Sequence, residues 1–224
     1  MAEKSSVFDM IGPVMIGPSS SHTAGVVKIG NVAHELLGGM PEAVQITFYN
    51  SFARTYEGHG SDRAILAGLM GLSTDDARIK TAHVMAQEEG MKYQFRSIGN
   101  ASTLHPNSVH LEMSLGSTKS TLLGESRGGG VIRIKEVNDF HANFSASLHT
   151  MVIEADDTKG SIAFITDILS HDDCNIATMT VSRKGKNDLA CLILEMDSAP
   201  KDISIQYIDH LNWVKNTRFI AQIK

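Results

Sequence analysis

From residue 149 onward the chain reads strand, helix, strand, strand, helix, strand, and few folds accept that order in so short a run. Residues 149–155 read as a strand, and 160–170 carry Ile162, Ile165 and Leu169 on one helical face. Strands at 176–183 and 189–196 flank Lys184-Gly185-Lys186-Asn187-Asp188, a hairpin turn, and a helix over 201–211 precedes a last strand at 214–222. The order βαββαβ predicts a ferredoxin-like unit.

Ahead of that unit the pattern differs. Residues 22–37 predict a helix with Val26, Ile29, Ala33 and Leu36 on one face, stopped by Gly38-Gly39 and Pro41. Residues 44–49 alternate as a strand. Gly58-His59-Gly60 reads as a turn before a helix with Ser61 as N-cap and Asp62 in its first turn. A further helix is expected over 74–89. Tyr93 and Phe95, then Val109, Leu111, Met113 and Leu115, alternate as strands. Strands at 119–124 and 130–136 follow, joined through Ser126-Arg127-Gly128-Gly129-Gly130, and His105-Pro106-Asn107 reads as a turn. Helices beside a mostly antiparallel sheet predict an α+β domain over 1–140. Residues 138–147 lack a clean period, so 141–148 is expected to be a linker, with the second domain at 149–224.

Length and composition bound the function. The 224 residues suffice for one or two cored domains, and the net charge of −5 argues against nucleic acid or an anionic membrane as partner. The first residues lack a signal-peptide core and no apolar run approaches ~20 residues, which leads us to expect a cytoplasmic protein. Cys174 and Cys191 are the two cysteines, too few for a cysteine-ligated iron–sulfur cluster, which needs four. They are expected to be ordinary thiols in or near a core.

Gly17-Pro18-Ser19-Ser20-Ser21-His22-Thr23 carries the densest chemistry, four hydroxyls and an imidazole in five consecutive residues directly before a helix. Backbone N–H groups at a helix start seat an anion, so Ser19, Ser20, Ser21 and Thr23 are candidate ligands of a carboxylate or phosphate, and His22 a candidate acid, base or orienting group. A serine N-cap in a solvated loop is the plainer alternative.

These residues also carry a resemblance. Ser6-Val7-Phe8-Asp9-Met10-Ile11-Gly12-Pro13 followed by residues 17–23, then Gly58-His59-Gly60-Ser61-Asp62-Arg63-Ala64 and Gly124-Glu125-Ser126-Arg127-Gly128-Gly129-Gly130, resembles iron–sulfur-dependent L-serine dehydratases over residues 5–140. Residues 149–224 resemble an ACT domain, a module that binds small effectors in regulated metabolic enzymes. The two together resemble the beta subunit of the two-chain enzyme. The resemblance implies L-serine as substrate, a [4Fe-4S] cluster on a separate alpha subunit, and activity only in that complex.

It further implies His22 and His59 as candidates for proton transfer, and Gly60 and Asp62 as companions of the serine-rich loop around the substrate. Asp62 has a plainer reading as a helix first-turn charge. In the ACT-like domain it implies effector binding at Asp156, Asp157, Lys159, Gly160 and Ser161, with self-association through that domain. The same loop reads equally as a polar β-to-α turn, and its acids as a cation seat. The chief rival is a non-catalytic serine sensor, since some phosphoglycerate dehydrogenases end in similar parts. No Gly-x-Gly-x-x-Gly turn of their nucleotide-binding domain is present. A Ser/His hydrolase is a weaker rival.

Overall fold

The face expected to be buried on the first helix is the buried one. In α1, Gly25–Leu37, Val26, Ile29 and Ala33 are fully buried and Leu36 nearly so. The computed structural model describes residues 14–101 and 103–223; the Ser6–Pro13 segment lies outside them. The helix does not begin at His22. Ser19 caps a π-type turn over Ser20–Ala24, its hydroxyl accepting from the His22 N–H, and the α-helical spacing starts only at Gly25. Such turns widen the backbone and recur at functional sites.

Contacts divide the chain into two units, the first ending at Asn138 and the second beginning at Asp139. In the first unit the strands β1 (Ala43–Tyr49), β2 (Lys92–Ile98), β3 (Ser108–Leu115), β4 (Thr118–Gly128) and β5 (Val131–Val137) run in the order β2-β1-β3-β4-β5. β1 pairs parallel to β2, and the other pairs are antiparallel. Ile46 faces Leu111 and Leu111 faces Leu122 across neighbouring strands, all three fully buried. β4 and β5 are joined by Gly129 and Gly130 at φ 60° and 78°, the paired left-handed geometry that tight hairpins favour.

α1 packs on α3, Ser61–Leu69, where Gly30 and Gly68 meet: a Cβ on Gly30 would lie 2.8 Å from Gly68 Cα. Gly60, not Ser61, is the N-cap of α3. Ser61 is its first residue and its hydroxyl is committed to His22 in the neighbouring segment. The expected helix over 74–89 is broken into a 3-10 turn, Ala77–Thr81, capped by Asp76, and α4, Ala82–Glu88. A short helix, α2 (Asn50–Thr55), has no counterpart in the sequence reading. Asn50 opens it at φ 51°, its side-chain amide donating to the Ala101 and Leu104 carbonyls while its oxygen accepts from the Ala101 N–H.

The second unit holds the expected order: β7 (His149–Asp156), α5 (Ser161–His171), β8 (Ile176–Arg183), β9 (Leu189–Met196), α6 (Asp202–Asp209) and β10 (Val214–Ile220). Its antiparallel sheet runs β10-β7-β9-β8, over a core that includes Ile153, Ile165, Leu169, Leu194 and Ile208. Ile162, expected on the buried face of α5, is 38% exposed in the helix's first turn. Cys174 and Cys191 are buried free thiols.

The stretch expected as a linker is not structureless. β6, Phe140–Phe144, buries Phe140, Ala142 and Phe144 and exposes His141 and Asn143, a period of two disguised by the small Ala142. The Ser182 hydroxyl donates to the His141 carbonyl at 2.9 Å, tying β6 to β8.

Candidate functional site

Residues 17–23 are held from two sides. The Ser61 hydroxyl, on α3, donates to the His22 carbonyl, and the Ser126 hydroxyl, on β4, donates to the Ser21 carbonyl, both at 2.9 Å. Ser61 and Ser126 are fully buried. The three segments that carry the family resemblance among the described residues therefore meet. Gly124-Glu125-Ser126-Arg127-Gly128 also has the Gly-x-Ser-x-Gly spacing of a hydrolase elbow, but that motif needs an exposed serine on a strand-to-helix turn. Here the serine lies inside β4 with its hydroxyl spent on Ser21, which removes the hydrolase reading.

A cavity of about 270 Å³ opens beside the loop, lined by Gly17, Pro18, Thr23, His59, Gly60, Arg63 and Lys80 together with Ile16 and Ile79. Thr23 is 2% exposed, and its Oγ1 has no hydrogen-bond partner among the described residues. A buried hydroxyl left unpaired costs about 1–3 kcal/mol. A Cβ on Gly17 would collide with the Thr23 side chain; only glycine lets the loop close over it. Arg63 and Lys80 bring two cations, a field suited to a carboxylate.

His22 and His59 stand together beside this cavity, rings 4.7 Å apart. His22 Nε2 lies 3.1 Å from Thr55 Oγ1 and Nδ1 3.3 Å from Ser19 Oγ, with Phe52 edge-on at 5.0 Å. Burial, and then the neighbouring His59, push the His22 pKa down, so the ring is neutral near pH 7. His59 is exposed. Its Nδ1 reaches the Thr55 carbonyl at 3.3 Å, and its Nε2 has no hydrogen-bond partner among the described residues.

The other candidates are placed differently. Ser20 and Ser21 do not line the cavity; their carbonyls accept from the Gly25 N–H and from Ser126. Asp62 turns to His83, with Oδ2 2.8 Å from Nε2, while Tyr93 holds the other ring nitrogen at 3.1 Å. Its Oδ1 lies 4.0 Å from Arg63 Nε and has no hydrogen-bond partner among the described residues, and Asp62 does not line the cavity. Sequence reasoning missed Thr55, Arg63, Lys80 and Ser126 as site residues, although Arg63 and Ser126 stand within quoted motifs. Thr55 and Lys80 have no local signal, because contacts across the fold bring them in.

In the second unit Asp156 pairs with Lys215 at 2.8 Å, and Asp157 with Arg183 at 3.2 Å and the Asn187 N–H at 3.1 Å. Gly160 caps α5, Ser161 begins it with its N–H on the Thr158 carbonyl, and Lys159 is exposed. Both carboxylates already have cationic partners, which leaves the cation reading without support from this loop.

The donor set does not fit an iron–sulfur cluster. Two cysteines fall short of four ligands, and burial, then Glu154, pushes the Cys191 thiol up to about 12, far from the thiolate a cluster requires. No group of three or more His, Cys, Asp or Glu side chains placed to hold a metal occurs among the described residues. No helix among the described residues is long and apolar enough to cross a membrane.

The family described as Serine dehydratase beta chain matches residues 6–112. The chain is 41% identical over 218 residues to the "Probable L-serine dehydratase, beta chain" of Bacillus subtilis, covering 97% of each chain. It is 34% identical over 193 residues to the "L-serine dehydratase, beta chain" of Peptoniphilus asaccharolyticus, covering 86% of this chain and 87% of that one. A D-3-phosphoglycerate dehydrogenase of Bacillus subtilis is 24% identical over 194 residues, 86% of this chain but 37% of its own. Among solved structures, the ACT domain from GTP pyrophosphokinase of Chlorobium tepidum matches 32% of this chain and 94% of its own, at 19% identity and a TM-score of 0.27.

Proposed function

The chain belongs to the family of L-serine dehydratase beta chains, and we propose that it supplies the proton-transfer and carboxylate-binding half of a site completed by an alpha subunit. The observation that carries this reading is the meeting of His59, Arg63, Lys80 and Thr23 at one small cavity. Arg63 and Lys80 take the serine carboxylate, and Thr23 gives it a hydrogen bond. His59 Nε2 accepts the α-proton. The electrons of that C–H bond form the Cα–Cβ double bond as the β-oxygen leaves, ultimately as water. The resulting aminoacrylate tautomerises to an imine, which adds water to give pyruvate and ammonia.

A weakly acidic proton and a poor leaving group call for more than a base. The [4Fe-4S] cluster that the resemblance implies belongs on the alpha subunit, since this chain lacks the thiolates. The non-catalytic sensor reading is not favoured, because the chain spans nearly all of a beta-chain relative and little more than a third of the dehydrogenase.

The second unit adds regulation in this proposal. Its loop from Asp156 to Ser161 takes a small effector, and the unit self-associates. The complex works in the cytoplasm, where the free thiols Cys174 and Cys191 stay reduced.

Anaerobic co-expression with the alpha chain tests the whole reading. A brown complex making pyruvate from L-serine is expected, with no pyruvate from the beta chain alone. A colourless inactive complex, or turnover by the isolated beta chain, overturns it.

A further inference from the structure

Thr55, the last residue of α2, touches both histidines. Its hydroxyl lies 3.1 Å from His22 Nε2, and its main-chain carbonyl lies 3.3 Å from His59 Nδ1. The same carbonyl accepts the His59 amide N–H at 3.0 Å, so the chain itself holds donor and acceptor in register.

Hydrogen counting assigns the protons. A carbonyl oxygen only accepts, so the His59 nitrogen facing it, Nδ1, carries the hydrogen, and Nε2 is bare in the neutral ring. The Thr55 hydroxyl has one hydrogen, which goes to the Ser51 carbonyl at 2.9 Å, one turn back in α2. Toward His22 it therefore accepts, and His22 Nε2 carries the hydrogen. Nδ1 of His22 is then bare and accepts from Ser19, whose hydroxyl oxygen is meanwhile occupied by the His22 amide. The opposite tautomer of His22 would need the Thr55 hydrogen for Nε2. It would forfeit the bond to Ser51, a net loss of one hydrogen bond in a half-buried cluster, and leave the Ser19 hydrogen unused.

We propose that Thr55 is a positioning residue that sets the two neutral imidazoles to opposite tautomers, His22 protonated on Nε2 and His59 on Nδ1. His59 Nε2 is then the bare nitrogen at the cavity, and the cation formed when it takes a proton has its other N–H already seated on a carbonyl. The partnered, neutral His22 ring stands against His59 without competing for that proton. The consequence for turnover rests on the function proposed above; the tautomer assignment stands without it.

Thr55→Val keeps the carbonyl and nearly the same volume while deleting the hydroxyl, and Thr55→Ser keeps both groups. Nitrogen–proton correlation spectra of the histidine side chains in the full chain, at about pH 8 where imidazoles are neutral, read which nitrogen is protonated. We expect His22 protonated on Nε2 in the parent chain and in T55S, and divided between the two tautomers in T55V, where Ser19 can either donate to Nδ1 or accept from it. His59 stays protonated on Nδ1 in all three. A parent His22 protonated on Nδ1, or a T55V spectrum with the parent's His22 pattern, overturns the proposal.

In the assembled enzyme T55V is expected to lower kcat by about tenfold or more, with KM for serine held within about twofold and T55S restoring turnover. A changed His22 tautomer in T55V with unchanged kcat upholds the assignment and counts against the catalytic reading, so the two fail separately.

Discussion

The rings of His22 and His59 stand 4.7 Å apart and 36° from parallel. Two imidazolium ions at that separation repel, and the half-buried His22 is the one held neutral. His59→Asn keeps a side chain that hydrogen-bonds to the Thr55 carbonyl but has no basic nitrogen. In the assembled enzyme we expect kcat to fall by about 10²- to 10⁴-fold, the span a general base contributes, with assembly and melting temperature preserved. Parent turnover in an assembled H59N complex removes His59 from the reaction.

The depressed His22 pKa also makes stability depend on pH. Above about pH 6.5, the ordinary histidine value, folded and unfolded chains both hold His22 neutral and nothing is lost. As pH falls below it, the unfolded chain binds the proton first, so stability drops until the folded value is passed. His105, pushed down by burial and then by Arg127 against the opposing pull of Glu125, adds to the same slope. Urea midpoints at about pH 7.5 and pH 5.5 should differ less in His22→Gln than in the parent, with His105 supplying the remainder. An undiminished slope in H22Q shows that His22 titrates normally.

How much of this was readable in sequence follows from how local each feature is. The face of α1 and the strand β3 announce themselves through spacing, because burial repeats every 3.6 or about 2 residues along one segment, and β7 and β9 do so as short, nearly continuous apolar runs. β6 hid behind a small residue at its centre, Ala142. α2 hid because its start is a tertiary event, the Asn50 side chain clasping Ala101 and Leu104 about fifty residues away. The site divides the same way. His22, His59 and Thr23 stand in dense motifs, whereas Thr55 matters through a contact 33 residues back and Lys80 through a cavity wall. Ser20 and Ser21 share the composition of the loop, yet the π-type turn sends them elsewhere.

Arg63 gives the sharpest test of the carboxylate seat. A hydrogen bond between charged partners is worth about 1.5–3 kcal/mol, or roughly 10- to 150-fold in affinity. Arg63→Gln should therefore raise KM for L-serine by about tenfold or more while changing kcat less, because the carboxylate is bound alike in ground and transition states. Steady-state pyruvate formation by the assembled enzyme measures both. A variant with unchanged KM and reduced kcat assigns Arg63 to the reaction rather than to binding.

Gly68 sets propensity against packing at the crossing of α1 and α3. Inside a helix, alanine is favoured over glycine by about 1 kcal/mol. A Cβ on Gly68, however, would collide with the Val27 carbonyl oxygen and lie 2.8 Å from Gly30 Cα. These are backbone atoms of a helix that cannot swing aside like a side chain. Asn31, which donates to the Gly68 and Leu72 carbonyls at 3.2 and 3.0 Å, further ties the two helices at this spacing. Overpacking of this kind costs about 1–3 kcal/mol, enough to outweigh the propensity gain. Gly68→Ala should therefore lower the first unit's melting temperature by several degrees. Because α1 continues directly from the turn that carries His22, pushing it off α3 should also strain the Ser61–His22 bond and reduce turnover of the complex at temperatures where the variant is still folded. A melting temperature at or above the parent's shows that the crossing opens freely and that close packing there does not hold the loop.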